Sequence, residues 1–110
     1  MNNPSLTQLA QPEPQLSALI NNTNKVKVLD LSGSDLLVEG ERILRPKAKC
    51  RLRIPEAIGI GDLQVLVKWC RVAGFISGEE SNSTLFRANL HIMDLSDEAS
   101  RSISSALISA

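Results

Sequence analysis

The side chains that could carry acid–base or nucleophilic chemistry are few and widely spaced in this chain. His91 is the only histidine among the 110 residues, whereas a hydrolase triad or a histidine-based proton shuttle needs that residue type at its centre. Cys50 and Cys70 lie within apolar runs and lack the C-x-x-C spacing of a zinc or redox site. The sequence therefore predicts a protein that is not an enzyme and that requires no metal or cofactor.

The acidic residues form no pair that suggests general acid–base catalysis. Glu79 and Glu80 are adjacent in a segment rich in Gly, Ser and Asn, which predicts a solvated loop. Asp97 and Glu98 follow Ser96, a good N-cap, and carboxylates stabilise the positive end of a helix dipole. Both groups therefore have structural explanations.

A row of cations is the most regular charged feature of the chain. Between Pro46 and Pro55, four cations (Lys47, Lys49, Arg51 and Arg53) alternate with Ala48, Cys50, Leu52 and Ile54. Strict alternation predicts a strand over 47–54 with one buried face and one cationic face. The cationic face is either simply solvated or a docking surface for an acidic partner or for phosphates.

Most of the remaining elements are also predicted to be strands. Alternation and β-branched residues predict strands over 25–31, 36–38, 62–72 and 84–92. The segment Ser32-Gly33-Ser34-Asp35 predicts a turn between the first two, and 77–83 predicts a hairpin loop. Within 62–72, one predicted face is formed by Leu63, Val65, Val67 and Trp69. The other face is also apolar, so we expect another element to cover it.

The C-terminal segment predicts a helix that begins after Ser96 and runs to about Leu107 or Ile108. Its apolar stripe recurs at helical spacing and needs an apolar surface, for which the outer face of the strand at 62–72 is the expected partner. Residues 1–24 contain three prolines and several Asn and Gln residues, which predicts a flexible N-terminal arm. Leu16, Leu19 and Ile20 could alternatively form one helical turn. The predicted domain spans residues 25–110.

Charge and hydropathy argue against nucleic-acid binding and against a membrane span. Lys and Arg together number 12, as do Asp and Glu, whereas a free-standing nucleic-acid-binding protein usually carries excess positive charge. No run approaches the ~20 apolar residues of a membrane span, and the N-terminus lacks the features of a signal peptide. We expect a cytoplasmic protein that binds no nucleic acid and does not span a membrane.

Three segments, in this order, resemble the PilZ domain family. Residues 30–35 (Asp-Leu-Ser-Gly-Ser-Asp) resemble its D/N-x-S-x-x-G signature, and Val65 to Trp69 resembles its x-V-x-W strand. Phe86 to Ser96 resembles the closing strand and the start of the helix. The resemblance covers roughly residues 25–108. It implies a mainly β fold, namely a small antiparallel six-stranded β-barrel with a C-terminal α-helix.

The family generally binds the bacterial messenger cyclic di-GMP, and this chain departs from the residues that do so. Its first arginine is Arg42, so the Arg-x-x-x-Arg motif that should precede the turn is missing. Asp35 replaces the signature glycine, and Lys47 and Asn89 replace two further glycine-like residues. Since Asp tolerates positive φ, the turn itself should survive. Losing two charge-assisted contacts of ~1.5–3 kcal/mol each predicts roughly 10²–10⁴-fold weaker binding.

The resemblance therefore implies a regulatory adaptor in cyclic di-GMP signalling, such as control of motility, that acts mainly by binding another protein. The alternative is a weak or atypical receptor in which Asp30, Ser32 and Asp35 contact cyclic di-GMP. Cations from the N-terminal arm or from a second copy would then assist binding, and the oligomeric state stays open. Asp30 and Ser32 could instead simply hold the turn.

Overall fold

The structure is a computed structural model that describes residues 16–77 and 82–109. The strands are β1 (Leu16–Ile20), β2 (Asn24–Ser32), β3 (Asp35–Gly40), β4 (Lys49–Arg53), β5 (Leu63–Ser77) and β6 (Asn82–Ile92), followed by the helix α1 (Asp97–Ser109). All six strands belong to one antiparallel sheet in the order β1-β2-β3-β6-β5-β4, and β1 also pairs with β4, so the sheet closes on itself. The predicted mainly β class, the six antiparallel strands and the C-terminal helix are confirmed.

Alternating apolar residues from every strand fill the interior of the closed sheet. The buried strand residues are Leu16, Ala18, Ile20, Val26, Val28, Leu36, Val38, Leu52, Val65, Val67, Ala88, Leu90 and Ile92. Burying one such Leu, Ile or Val side chain contributes ~1.5–3 kcal/mol. The core is therefore built from aliphatic side chains that fit a narrow interior.

The first strand corrects the predicted N-terminal arm and its boundary at Lys25. Leu16, Ala18 and Ile20 are buried and pair with β2, so the period-2 alternation decides the structure and the helical spacing of Leu16, Leu19 and Ile20 is coincidental. The predicted helical turn is wrong: Leu16–Ile20 form a strand of the sheet, and β2 begins at Asn24. Residues 1–15 of the predicted arm lie outside the described residues.

Asn21 and Asn22 turn the chain between β1 and β2 and also help to close the sheet. Their φ angles are 52° and 64°, the left-handed region that Asn tolerates better than most residues. The backbone N–H of Asn21 donates to the carbonyl of Arg51 (2.8 Å), and its Oδ1 accepts from the N–H of Arg51 (2.9 Å). One turn residue thus joins β1 to β4.

The cationic strand is shorter than predicted, because β4 begins at Lys49 and not at Lys47. The N–H of Lys47 donates to the carbonyl of Val67 (2.7 Å), and the N–H of Val67 donates to the carbonyl of Ala48 (2.9 Å). Lys47 and Ala48 thus lie opposite the single residue Val67, as in a β-bulge whose first residue is in the left-handed conformation. The φ of Lys47 is 72°, a conformation that glycine adopts without strain. Lys47 stands at one of the positions where the resemblance has a glycine-like residue.

A second bulge, in β5, places Trp69 on the opposite side of the sheet from the one predicted. Val67 pairs with Leu90 but Trp69 pairs with Asn89, so Lys68 is an extra residue in the strand. Because a single bulged residue reverses the alternation, Trp69 faces outward although Val65 and Val67 face the core. The prediction that Trp69 shares their face is wrong.

The helix is capped as predicted but packs elsewhere. The Oγ of Ser96 accepts a hydrogen bond from the N–H of Ala99 (3.0 Å). Ile103 is 0% exposed and belongs to the main core, and the strand that α1 contacts most is β2. The predicted packing on the outer face of 62–72 is wrong, because the apolar stripe of α1 contributes Ile103 to the main core.

Beyond the closed part of the sheet, β5 and β6 continue as a two-stranded arm. The last pair between β3 and β6 is Gly40 with Phe86, so Gly74–Ser77 and Asn82–Leu85 pair only with each other among the described strands. The predicted loop at 77–83 is therefore shorter, since Ser77, Asn82 and Ser83 lie in strands and residues 78–81 lie outside the described residues. We call residues 74–77 and 82–85 the arm.

The left-handed conformation of Lys47 gives a stability test. Lys47→Gly should leave the free energy of unfolding unchanged or raise it by up to about 1 kcal/mol, since glycine adopts positive φ without strain. Lys49→Gly, in the regular part of β4, is the matched control and should lower it by ~0.5–1 kcal/mol. Urea unfolding checks both, and equal losses in the two variants would contradict the assigned bulge.

Candidate functional site

The outer face of the sheet collects the polar residues that the sequence singled out. Two adjacent rows cross β2, β3, β6 and β5: Ser32, Asp35, His91 and Leu66 in one, and Asp30, Leu37, Asn89 and Trp69 in the other. Cross-strand partners lie on the same face, with Cβ atoms ~5 Å apart. We call these two rows, with their flanking charges, the outer face.

A bulge in β2 is what turns Asp30 and Ser32 outward. Val28 pairs with Val38 and Asp30 with Leu37, so Leu29 is the extra residue. Without it, the alternation set by Val26 and Val28 would direct Asp30 into the core, where an unpaired carboxylate is strongly unfavourable. The bulge places both side chains in solvent, and both are exposed.

The turn after Ser32 is held by Gly33 and not by the residue at the signature-glycine position. Gly33 has a φ of 63°, and the carbonyl of Ser34 accepts a hydrogen bond from the N–H of Ile92 (2.7 Å). Asp35 already belongs to β3 and is not in the left-handed region. The expectation that Asp35 must tolerate positive φ is therefore wrong. Compared with the signature glycine, the difference that matters is the added carboxylate of Asp35.

The carboxylate of Asp35 is held by two neighbours. Its Oδ2 accepts from the Nζ of Lys68 (3.1 Å), and its Oδ1 lies 3.0 Å from the Nδ1 of His91. The hydrogen bond with His91, followed by that with Lys68, holds the pKa of Asp35 below its usual range. Asp35 is therefore charged at neutral pH. Lys68 follows the core-facing Val67, so its side chain lies on the outer face, within reach of Asp35.

The structure brings Asp30, Ser32 and Asp35 together at one end of the outer face. Whether Asp30 and Ser32 contact a ligand or hold the turn stays a prediction. His91, which sequence reasoning assigned to the surface, is half-exposed and is bonded to Asp35. The direct pairing of residues 35 and 91 depends on strand register, which the sequence does not reveal.

The predicted row of cations is divided into two parts. Arg53 donates from its Nε to Asp62 Oδ1 (2.9 Å), and Arg51 Nη1 lies 3.8 Å from Asp62 Oδ2. The hydrogen bond from Arg53 lowers the pKa of Asp62, so one ionised carboxylate neutralises part of the arginine end. Lys49 pairs across the sheet with Leu66 and therefore extends the outer face.

A second charged cluster, which sequence reasoning missed, lies farther along the same face. Glu39 accepts from Arg87 Nε (2.9 Å) and lies 3.7 Å from Lys27 Nζ, with only 11% of its side chain exposed. Arg71 lies directly opposite Arg87 in the register, and its Cζ stacks 4.1 Å from the centroid of the Trp69 ring. No sequence spacing links these residues, since the strands alone bring them together.

An open cavity of about 430 Å³ lies beside this cluster. It is lined by Leu37, Trp69, Arg71, Val72, Ala73 and Arg87. Asn89 stands between Leu37 and Trp69 in the register, and its Oδ1 is buried without a hydrogen-bond partner among the described residues. Planar, cationic and apolar groups thus meet here, a combination suited to binding an anionic group carried on an apolar chain.

A scan of protein-family models and searches of curated proteins and of solved structures found no match to this chain. The described residues include no helix with the length and apolar character needed to cross a membrane. Within those residues, no group of three or more His, Cys, Asp and Glu side chains is arranged to hold a metal ion.

The contacts of Asp35 predict a pH-dependent contribution to stability. Because its pKa is lowered in the folded state, the contribution is fully present above the unfolded value of ~3.9 and is lost as the pH falls through the folded value. Asp35→Asn should lower the free energy of unfolding by about 0.5 kcal/mol at neutral pH, as expected for a surface pair. The difference from wild type should shrink in acid.

Urea unfolding between neutral and acidic pH measures this difference. Asp30→Asn is the matched control, because it removes the same charge from the same face without breaking the contacts to Lys68 and His91. A loss of stability in Asp35→Asn that stays constant down to strongly acidic pH would contradict the assigned interactions.

Proposed function

We propose that this chain is a non-enzymatic regulatory adaptor resembling the PilZ domains of bacterial cyclic di-GMP signalling, acting in the cytoplasm through a protein partner. The six-stranded antiparallel sheet, its closure into a small barrel and the capped C-terminal helix agree with that resemblance. The side chains of Asp30 and Ser32 are also exposed on the outer face. In this proposal, binding of the dinucleotide itself is impaired.

The carboxylate of Asp35 is the observation that carries the proposal. It occupies the place of the signature glycine, between Lys68 and His91, and Asp30 adds a second carboxylate to the same face. A phosphate that approached the turn would meet this negative charge, and Lys68 would have to leave Asp35 to reach the phosphate. Both effects weaken the binding of a doubly charged dinucleotide.

The lysines of β2 do not replace the missing arginines. Lys27 lies 3.7 Å from Glu39 and so already has a carboxylate partner. Lys25 is five residues before Asp30 in the same strand, which corresponds to roughly 16 Å at ~3.3 Å per residue. Neither lysine has the planar, bidentate geometry with which a guanidinium binds phosphate and stacks on a base.

Features of the outer face favour a protein as the partner. It combines exposed cations with the partly buried Trp69 and the open cavity beside it, and aromatic and arginine side chains are enriched in protein interfaces. A large apolar residue, Phe75, is also exposed on the arm. These groups offer a protein partner both apolar and charge-assisted contacts.

Titration calorimetry of the full chain with cyclic di-GMP tests the proposal. We expect no saturable binding tighter than a Kd of about 100 µM. Asp35→Gly, which restores the signature glycine and removes the carboxylate, should gain at most about tenfold, because no arginine motif precedes the turn.

Saturable micromolar binding to the wild type, abolished by Asp30→Ala, would overturn the proposal in favour of the alternative, a weak receptor that uses the turn. Circular dichroism of each variant verifies that the fold is retained. Asp97→Ala is a charge-matched control, since Asp97 lies in α1 and not on the outer face.

A further inference from the structure

One edge of β5 is open along part of the strand. The pairs between β4 and β5 run from Leu63 to Leu66, and the backbone hydrogen bonds of Val67 with Lys47 and Ala48 follow. Farther along, the N–H of Leu44 donates to the Sγ of Cys70 (3.3 Å), a contact to a side chain that leaves the main chain of this part of β5 without a strand partner on that side. From Lys68 to Ser77, the described strands supply β5 with a neighbour on one side only, which is β6. Unpaired backbone N–H and C=O groups at a strand edge are a template for another strand.

Two bulges define how much of this edge is regular. The register shifts at Lys68 and again at Ala73, which leaves Trp69, Cys70, Arg71 and Val72 as an uninterrupted stretch of strand. Trp69 and Arg71 point to the outer face, while Val72 is 53% exposed on the other side. Phe75, 77% exposed, follows on the arm. We call residues 69–72 the open edge.

The charge beside the open edge is positive, although the chain as a whole has equal numbers of acidic and basic residues. Arg71 and Arg87 are direct cross-strand neighbours, an arrangement that is unfavourable unless an anion compensates it. Glu39 bonds Arg87, whereas Arg71 forms no ion pair with any residue that the structure describes. Lys49 adds a further cation in the neighbouring strand.

We propose that an acidic, extended segment of a protein partner adds to the sheet as a strand along the open edge. One carboxylate of that segment lies against Arg71 and Arg87, and a neighbouring apolar side chain enters the cavity of about 430 Å³ beside Trp69. Main-chain hydrogen bonds supply affinity in this mode of recognition, and alternate side chains supply specificity. The inference deepens the proposed function and rests on it, because it names the partner's chemistry.

The test uses a defined probe, a fluorescein-labelled nine-residue peptide of alternating Glu and Val with blocked termini. Anisotropy should show saturable binding to the full chain, with a Kd below about 1 mM. Arg71→Glu should weaken it at least tenfold, while Arg101→Glu, an exposed arginine of α1, is the matched control and should not. A peptide with Lys in place of Glu should not bind.

Two further measurements separate strand addition from simple charge attraction. N-methylation of alternate peptide residues removes main-chain donors and should abolish binding, and the unmodified peptide should slow amide hydrogen exchange in residues 69–72. Equal binding of the N-methylated peptide, or no effect of Arg71→Glu in a variant with native circular dichroism, would overturn the proposal. A dimer of the free chain in sedimentation that Arg71→Glu dissociates would also overturn it, since a second copy would then occupy the edge.

The outcomes distinguish this inference from the proposed function. Failure of the peptide to bind, together with the absence of calorimetric binding of cyclic di-GMP, makes the open edge the wrong docking site and leaves the adaptor proposal standing. Saturable binding of cyclic di-GMP defeats the adaptor proposal whatever the peptide does.

Discussion

The outer face of this protein depends on two single-residue bulges in a sheet that closes on itself. In such a sheet each side chain points either into the core or away from it, and one extra residue reverses the choice for all residues that follow. The extra residue at Leu29 sends Asp30 and Ser32 into solvent, and the one at Lys68 sends Trp69 and Arg71 the same way. Regular strands would direct these polar groups into the core.

Electrostatics then divides the outer face into two regions with different properties. Around Asp35, the ammonium group of Lys68 and the ring of His91 already contact a carboxylate, so little positive charge is left for a phosphate. Beside the open edge, Arg71 and Arg87 are cross-strand neighbours, and Glu39 bonds only Arg87. The first region supports the proposal that dinucleotide binding is impaired, and the second supports the proposal that an acidic segment docks at the open edge.

The sequence predicts the strands better than it predicts what they bring together. Alternation located β2 to β6 because burial follows residue type, and Ser96 marked the start of α1 because capping is local. The same logic missed β1, because this five-residue segment fits both the helical period and the strand period. It also misplaced Trp69, because residue types do not reveal a bulge. The contacts of Asp35 with His91 and of Glu39 with Arg87 depend on register between distant strands, which local pattern does not encode.

The proposed function depends on weak or absent binding of a cyclic dinucleotide to the segment from Asp30 to Asp35. An amide ¹H–¹⁵N correlation map of the full chain, recorded while cyclic di-GMP is added to about millimolar concentration, observes that segment directly. We expect the cross-peaks of residues 30–35 and of His91 to show no saturable movement with a Kd below about 100 µM. Saturable movement of the Asp30, Ser32 and Asp35 amides with a micromolar Kd is the result that would overturn the proposal.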